Sequence, residues 1–94
     1  MDSAVTIPIE DSLDLHTFLP GDVPVLLMEY FQECRKQGLL TVRIVHGKGS
    51  GQLRRRVEAC LAREPSVAEY GQAPPDMGGW GATMVRLWPL VDQT

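Results

Sequence analysis

Ninety-four residues suffice for one domain with one modest core, which excludes a two-domain arrangement. An apolar share of 44% is ordinary for a globular chain, and no apolar run approaches the roughly 18 residues of a membrane span. The first ten residues carry acid rather than Lys or Arg, so they do not read as a secretory signal, and the cytoplasm is the expected compartment. The net charge of −3 argues against a polyanion partner only until its distribution is read. From Arg35 to Arg63 eight basic residues face the single acid Glu58, a net +7, while the rest of the chain carries −10. An acidic protein of this kind can still turn a basic face to phosphate.

Residues 1–11 read as an N-terminal extension, 12–89 as the domain and 90–94 as a tail. Leu13 and Leu15 alternate with polar neighbours, the two-residue period of a first strand over Ser12–His16. Thr17–Asp22 is a turn, with Asp22 placed to cap a helix that has Pro24 in its first turn. That helix keeps Val23, Leu27, Phe31 and Cys34 on one stripe, ends near Gln37, and meets Gly38 where a left-handed cap is expected. Leu39–Val45 is a β-prone second strand ending at His46. After the glycine-rich stretch Gly47–Gly51, the positions Leu53, Val57, Cys60 and Leu61 mark a second helix that stops near Glu64 and Pro65. Val67–Tyr70 is a short third strand, Gln72–Gly81 is irregular with its prolines and glycines, and Ala82–Trp88 is the last strand. Cys34 and Cys60 lie in helical segments without metal-ligand spacing and read as reduced core residues, and Trp88 and Tyr70 are assigned to the core as well.

The order β-α-β-α-β-β gives an α/β chain built as a two-layer α+β sandwich, a mixed four-stranded sheet with two helices. The right-handed crossover rule makes its first three strands parallel. His16 and His46 then end the first two strands, and the Pro/Gly loop follows the third. All three reach the C-terminal edge, where open α/β sheets bind their ligands.

Three segments at that edge carry chemistry. His46-Gly47-Lys48-Gly49-Ser50-Gly51 stands between a strand and a helix, so the backbone can approach an anion and the helix N-terminus can face it, with Arg54 close by. It lacks the spacing of a Walker A loop, so nucleotide hydrolysis is not expected. Asp14 and His16 lie two apart on one strand, and a carboxylate beside an imidazole fixes its tautomer for acid/base work. The same spacing also suits a structural pair. Gly78-Gly79-Trp80-Gly81-Ala82-Thr83 puts an aromatic at a loop tip, either to stack on a base or to close over the core.

Leu13-Asp14-Leu15-His16, the glycine-rich motif and Gly78–Thr83, in that order and with Ala73-Pro74-Pro75 before the last, resemble the three signature motifs of the Smr (small MutS-related) domain family over residues 13 to about 88. Thr17 stands where family members usually have Gly. The resemblance implies a fold like the C-terminal domain of a translation initiation factor and an activity of nicking DNA or of cleaving or binding RNA. It places active residues at Asp14, His16, His46, Gly47 and Gly49. The resulting expectation is a small, monomeric endonuclease for RNA or branched DNA, with His16 and His46 sharing acid/base roles and Asp14 orienting His16 or holding Mg²⁺ or Mn²⁺. Gly47, Lys48, Gly49, Ser50, Gly51, Arg54, Gly79, Trp80, Gly81 and Thr83 are expected to bind the nucleic acid. The rival expectations are a module that grips RNA, DNA or a ribosome without cutting, and a protein-interaction domain.

Overall fold

The computed structural model describes residues 9–90, so most of the N-terminal extension and most of the tail lie outside the described residues. Six elements carry the fold: β1 (Ser12–Asp14), α1 (Val23–Lys36), β2 (Thr41–Val45), α2 (Gln52–Arg63), β3 (Val67–Gln72) and β4 (Ala82–Leu87). They form one mixed sheet in the order β1-β2-β4-β3. β1 pairs with β2 in parallel, and β4 runs antiparallel to both β2 and β3. The first three strands therefore do point the same way, but β4 is inserted between the second and third.

Alternation along the strands decides which face is covered. Val42 and Ile44 of β2 and Val85 and Leu87 of β4 are buried against Val23, Leu27, Phe31 and Cys34 of α1 and Val57 and Leu61 of α2. Their alternates Thr41, Arg43, Met84 and Arg86 stay exposed or half-buried on the opposite face. Two helices on one side and an open sheet on the other make the expected two-layer sandwich. α1 ends as its glycine foretells. Gly38 adopts φ +79°, Leu39 N–H donates to Cys34 O at 2.8 Å and Gly38 N–H to Arg35 O at 3.2 Å, closing the helix as a Schellman motif.

Four expectations need correction. Asp22 makes no side-chain cap, because a 3-10 turn over Pro20–Asp22 precedes α1 and its Pro20 carbonyl takes the Val23 N–H instead. β1 stops at Asp14 rather than His16, as the chain turns there with Phe18 N–H donating to Leu15 O at 3.0 Å. Gln72 ends β3, and the stretch after it holds two short 3-10 turns, Pro75–Met77 and Gly79–Gly81, so this loop is more ordered than its composition suggests. Trp88 and Tyr70 are not core: they are 51% and 41% exposed. Tyr70 lies on an edge strand, while the Trp88 ring carries the Arg86 guanidinium at 5.7 Å.

Candidate active site

The register brings the three motifs to one edge, since Asp14 pairs with Val45 and Val45 with Ala82. Leu15 N–H still reaches Val45 O at 2.9 Å and its side chain is fully buried, so His16 is presented just past a firmly anchored residue. Asp14 Oδ1 accepts both the His16 backbone N–H, at 3.0 Å, and the His16 ring at Nδ1, at 2.7 Å. The His16 backbone N–H first, and then its ring, hold the Asp14 carboxyl below the usual carboxylate range. An ionised carboxylate can only accept, so Nδ1 carries the proton and Nε2 is the basic position of the neutral ring. His16 Nε2 has no hydrogen-bond partner among the described residues, and the side chain is 71% exposed.

His46 is the opposite case. It is only 6% exposed, with Nδ1 3.3 Å from Gly47 O and Nε2 2.9 Å from Thr83 Oγ1. A carbonyl cannot donate, so Nδ1 is protonated and the Thr83 hydroxyl donates to Nε2. Burial pushes the imidazole below its ordinary value; the Arg54 charge lowers it further, and Gly47 O and Glu58 oppose the shift. The ring is therefore held neutral.

Besides the His46–Thr83 contact, the backbone of the glycine-rich motif meets the third motif at one carbonyl. Gly81 O accepts from His46 N–H at 3.0 Å and from Gly47 N–H at 2.8 Å. Gly81 has no room for a side chain, because a Cβ there would lie 2.8 Å from Lys48 Cγ; the lysine stem crosses directly over it. Gly51 adopts φ +88° as the N-cap of α2, where a β-carbon is strained, and Ser50 Oγ accepts the Gln52 N–H at 3.4 Å. The first turn of α2, whose amides have no acceptor within the helix, thus opens on the site.

A cleft of about 380 Å³ runs along this edge between His16 and α2. Of the expected site residues, His16, His46, Gly49, Ser50, Gly51 and Arg54 line it. Asp14 stands behind His16, and Gly47, Lys48 and Gly81 form the clasp beside the cleft. Thr83 is buried and supports His46 rather than facing the cleft. Trp80, 42% exposed, sits in the neighbouring Gly79–Gly81 turn and outside the cleft lining. Sequence reasoning missed Phe18 and Arg56, which also line the cleft. The signal for Phe18 was an apolar residue in a turn two positions after His16. Arg56 stands in a run of three arginines, which a helix points in three directions, yet Arg54 and Arg56 both reach this wall, Arg54 Nε also meeting Glu58 at 3.3 Å.

For a divalent metal the donor set is poor. Asp14 is a single carboxylate with Oδ1 already engaged, and the described residues gather no group of three or more His, Cys, Asp or Glu that could hold an ion.

The family model described as the Smr domain matches residues 13–88. Endonuclease MutS2 of Thermus thermophilus is 36% identical over 77 residues, which are 82% of this chain and 10% of that protein. The ribosome rescue factor SmrB of Shewanella baltica is 38% identical over 75 residues, 80% of this chain and 43% of that one. The chain thus spans a tenth of the first relative and under half of the second. The crystal structure of the Smr domain of Thermus thermophilus MutS2 superposes with a TM-score of 0.79 at 35% identity, covering 85% of this chain and 100% of that one.

Proposed function

This chain belongs to the Smr domain family, and from that premise we propose that it binds nucleic acid along the C-terminal edge of its sheet and cleaves RNA there by proton transfer at His16. The observation that carries the reading is the pairing of His16 with Asp14: the carboxylate holds Nδ1 and leaves an exposed, basic Nε2 beside a cleft walled by Arg54 and Arg56.

In the proposed step, His16 Nε2 takes the proton of a ribose 2′-hydroxyl. The 2′-oxygen bonds to phosphorus, the bond from phosphorus to the 5′-oxygen breaks, and the imidazolium returns its proton to that leaving oxygen. Arg54, Arg56, Lys48 and the opening amides of α2 counter the charge that gathers on the phosphoryl oxygens. His46, a neutral ring with both nitrogens engaged, is assigned to holding the glycine loop against Thr83. DNA has no 2′-hydroxyl, so nicking it needs an activated water that these residues supply less readily.

A second reading, a module that grips RNA or a ribosome without cutting, is favoured by one observation: the engagement of His46 leaves one free imidazole rather than two. The name of the SmrB relative makes ribosome-associated RNA a reasonable substrate or partner to test. The experiment incubates purified protein with labelled single-stranded RNA, duplex DNA and branched DNA in excess EDTA between pH 5 and 8. RNA is cut, His16→Ala lowers the rate about 10²- to 10⁴-fold, and Asp14→Asn lowers it less. Cutting that persists undiminished in His16→Ala belongs to a contaminant and refutes the enzyme. Absence of cutting with salt-sensitive binding intact establishes the module instead.

A further inference from the structure

The wall of the cleft opposite α2 is not basic. Phe18, 41% exposed, lines the cleft on one side. It also borders a second, shallow cavity that is widely open to solvent and is completed by Asp22, Val25, Leu26 and Glu29. Val25 and Glu29 lie on the exposed side of α1, Asp22 directly precedes its first turn, and Leu26 is half-buried at the margin of the core. The carboxylates of Asp22 and Glu29 make no hydrogen bond or ion pair among the described residues, in contrast to Glu33, Glu58 and Glu69. The cavity is therefore apolar on its sides, aromatic at its entrance from the cleft, and rimmed by two carboxylates.

We propose that this cavity is a base-reading subsite that takes one unpaired guanine of the strand bound in the cleft. The inference rests on the nucleic-acid reading above and names what that site prefers. Three physical points select the occupant. A phosphate is repelled by Asp22 and Glu29 and is drawn to Arg54 and Arg56 across the cleft, so the side with the acids faces bases. A flat ring fits an aromatic wall, and unpaired bases stack on such platforms whatever their identity. The edge of the base is then decided by the carboxylates, which only accept. Guanine presents two parallel N–H donors, N1 and N2, to one carboxylate, the two-bond arrangement that carboxylates also make with arginine. Uracil and thymine flank a single N–H with carbonyls that repel the acid, and adenine and cytosine set one amino group beside a ring acceptor.

The test measures fluorescence anisotropy of labelled oligonucleotides on the intact chain at low salt. The probes are 2′-O-methyl oligouridines, which lack the attacking hydroxyl, carrying one central guanosine, one inosine or neither; oligothymidines with one dG give the DNA arm. The guanosine probe binds about tenfold tighter than the inosine probe, which lacks the N2 amino group. Glu29→Gln combined with Asp22→Asn removes that preference while leaving affinity for the plain oligouridine equal or higher. Phe18→Ala weakens every probe about tenfold, and Phe18→Tyr restores binding, which separates stacking from a folding defect. Equal binding of guanosine, inosine and uridine probes, with salt dependence retained, overturns the subsite but not the cleft. Absence of binding by any probe overturns both. If Phe18→Ala instead alters sedimentation of the protein without changing affinity, the patch is a contact between copies and the subsite is wrong.

Discussion

Thr83→Val removes one hydroxyl and almost no volume, so its effect reports directly on the contact that locks His46. Thr83 is 1% exposed and His46 6%, so their hydrogen bond of 2.9 Å is shielded from bulk solvent. In the variant, His46 Nε2 keeps a buried lone pair without a donor, which costs about 1–3 kcal/mol. The new methyl group recovers about 0.8 kcal/mol of apolar burial. A net loss of about 1 kcal/mol lowers the melting temperature of a domain of this size by roughly 4–8 °C. The assay is thermal unfolding by circular dichroism of Thr83→Val, His46→Leu and the pair. Because the double variant leaves neither partner stranded, its loss falls short of the sum of the singles by about 1 kcal/mol. Additive losses, or a Thr83→Val protein that melts with the wild type, would refute the hydrogen bond and with it the locked tautomer.

The lowered pKa of His46 sets a pH dependence whose sign follows from proton counting. Between the folded value and the ordinary value of about 6.5, the unfolded chain binds more protons than the folded one, so stability declines as pH falls below about 6.5 and levels off above it. Asp14, also lowered, adds a loss in the same direction at more acid pH. Urea midpoints at pH 5 and pH 7 check this, and His46→Gln removes the upper limb; a wild type equally stable at both refutes the buried neutral ring. Nucleic-acid affinity falls with salt, and Lys48→Ala, Arg54→Ala and Arg56→Ala each reduce the slope by about one unit, measured by titration at several salt concentrations. Gly81→Ala costs about the same unit of slope although Lys48 keeps its charge, since the added Cβ displaces the lysine stem. An unchanged slope in Gly81→Ala shows that Lys48 does not contact phosphate from that position.

Element type was legible wherever periodicity was strong. Val42 and Ile44, or Leu27, Phe31 and Cys34, announce their buried faces in the sequence itself, and the Gly38 cap follows from chain stereochemistry. The insertion of β4 between β2 and β3 was not legible, because alternation tells a strand which face to bury and not which neighbour to choose. The exposure of Trp88 and Tyr70 escaped for a related reason: an aromatic on the open face or edge of a sheet has the same composition as one in the core. At the site, the element order and the crossover rule foretold that His16, His46 and the glycine loop reach one edge. They could not distinguish the two histidines, since the sequence gives no sign that Thr83 lies beneath one ring and nothing lies over the other. The placement of Arg54 and Arg56 on one wall likewise depends on how long side chains bend across a helix shoulder, which backbone periodicity does not specify.

The two halves of the site differ in how they are fastened. His46 and Gly47 hang from a carbonyl at the head of β4, a strand with neighbours on both sides, whereas His16 follows β1, three residues at the margin of the sheet with β2 as its one pairing neighbour among the described residues. A marginal strand peels away at lower free energy than the whole domain. On warming, the edge strand that carries His16 is therefore expected to loosen before the clasp of loop and central strand, with the buried Leu15 as its last hold on the core. The chemistry proposed for His16 is then expected to fail ahead of the melt and to return on cooling, without the chain having to find its fold again.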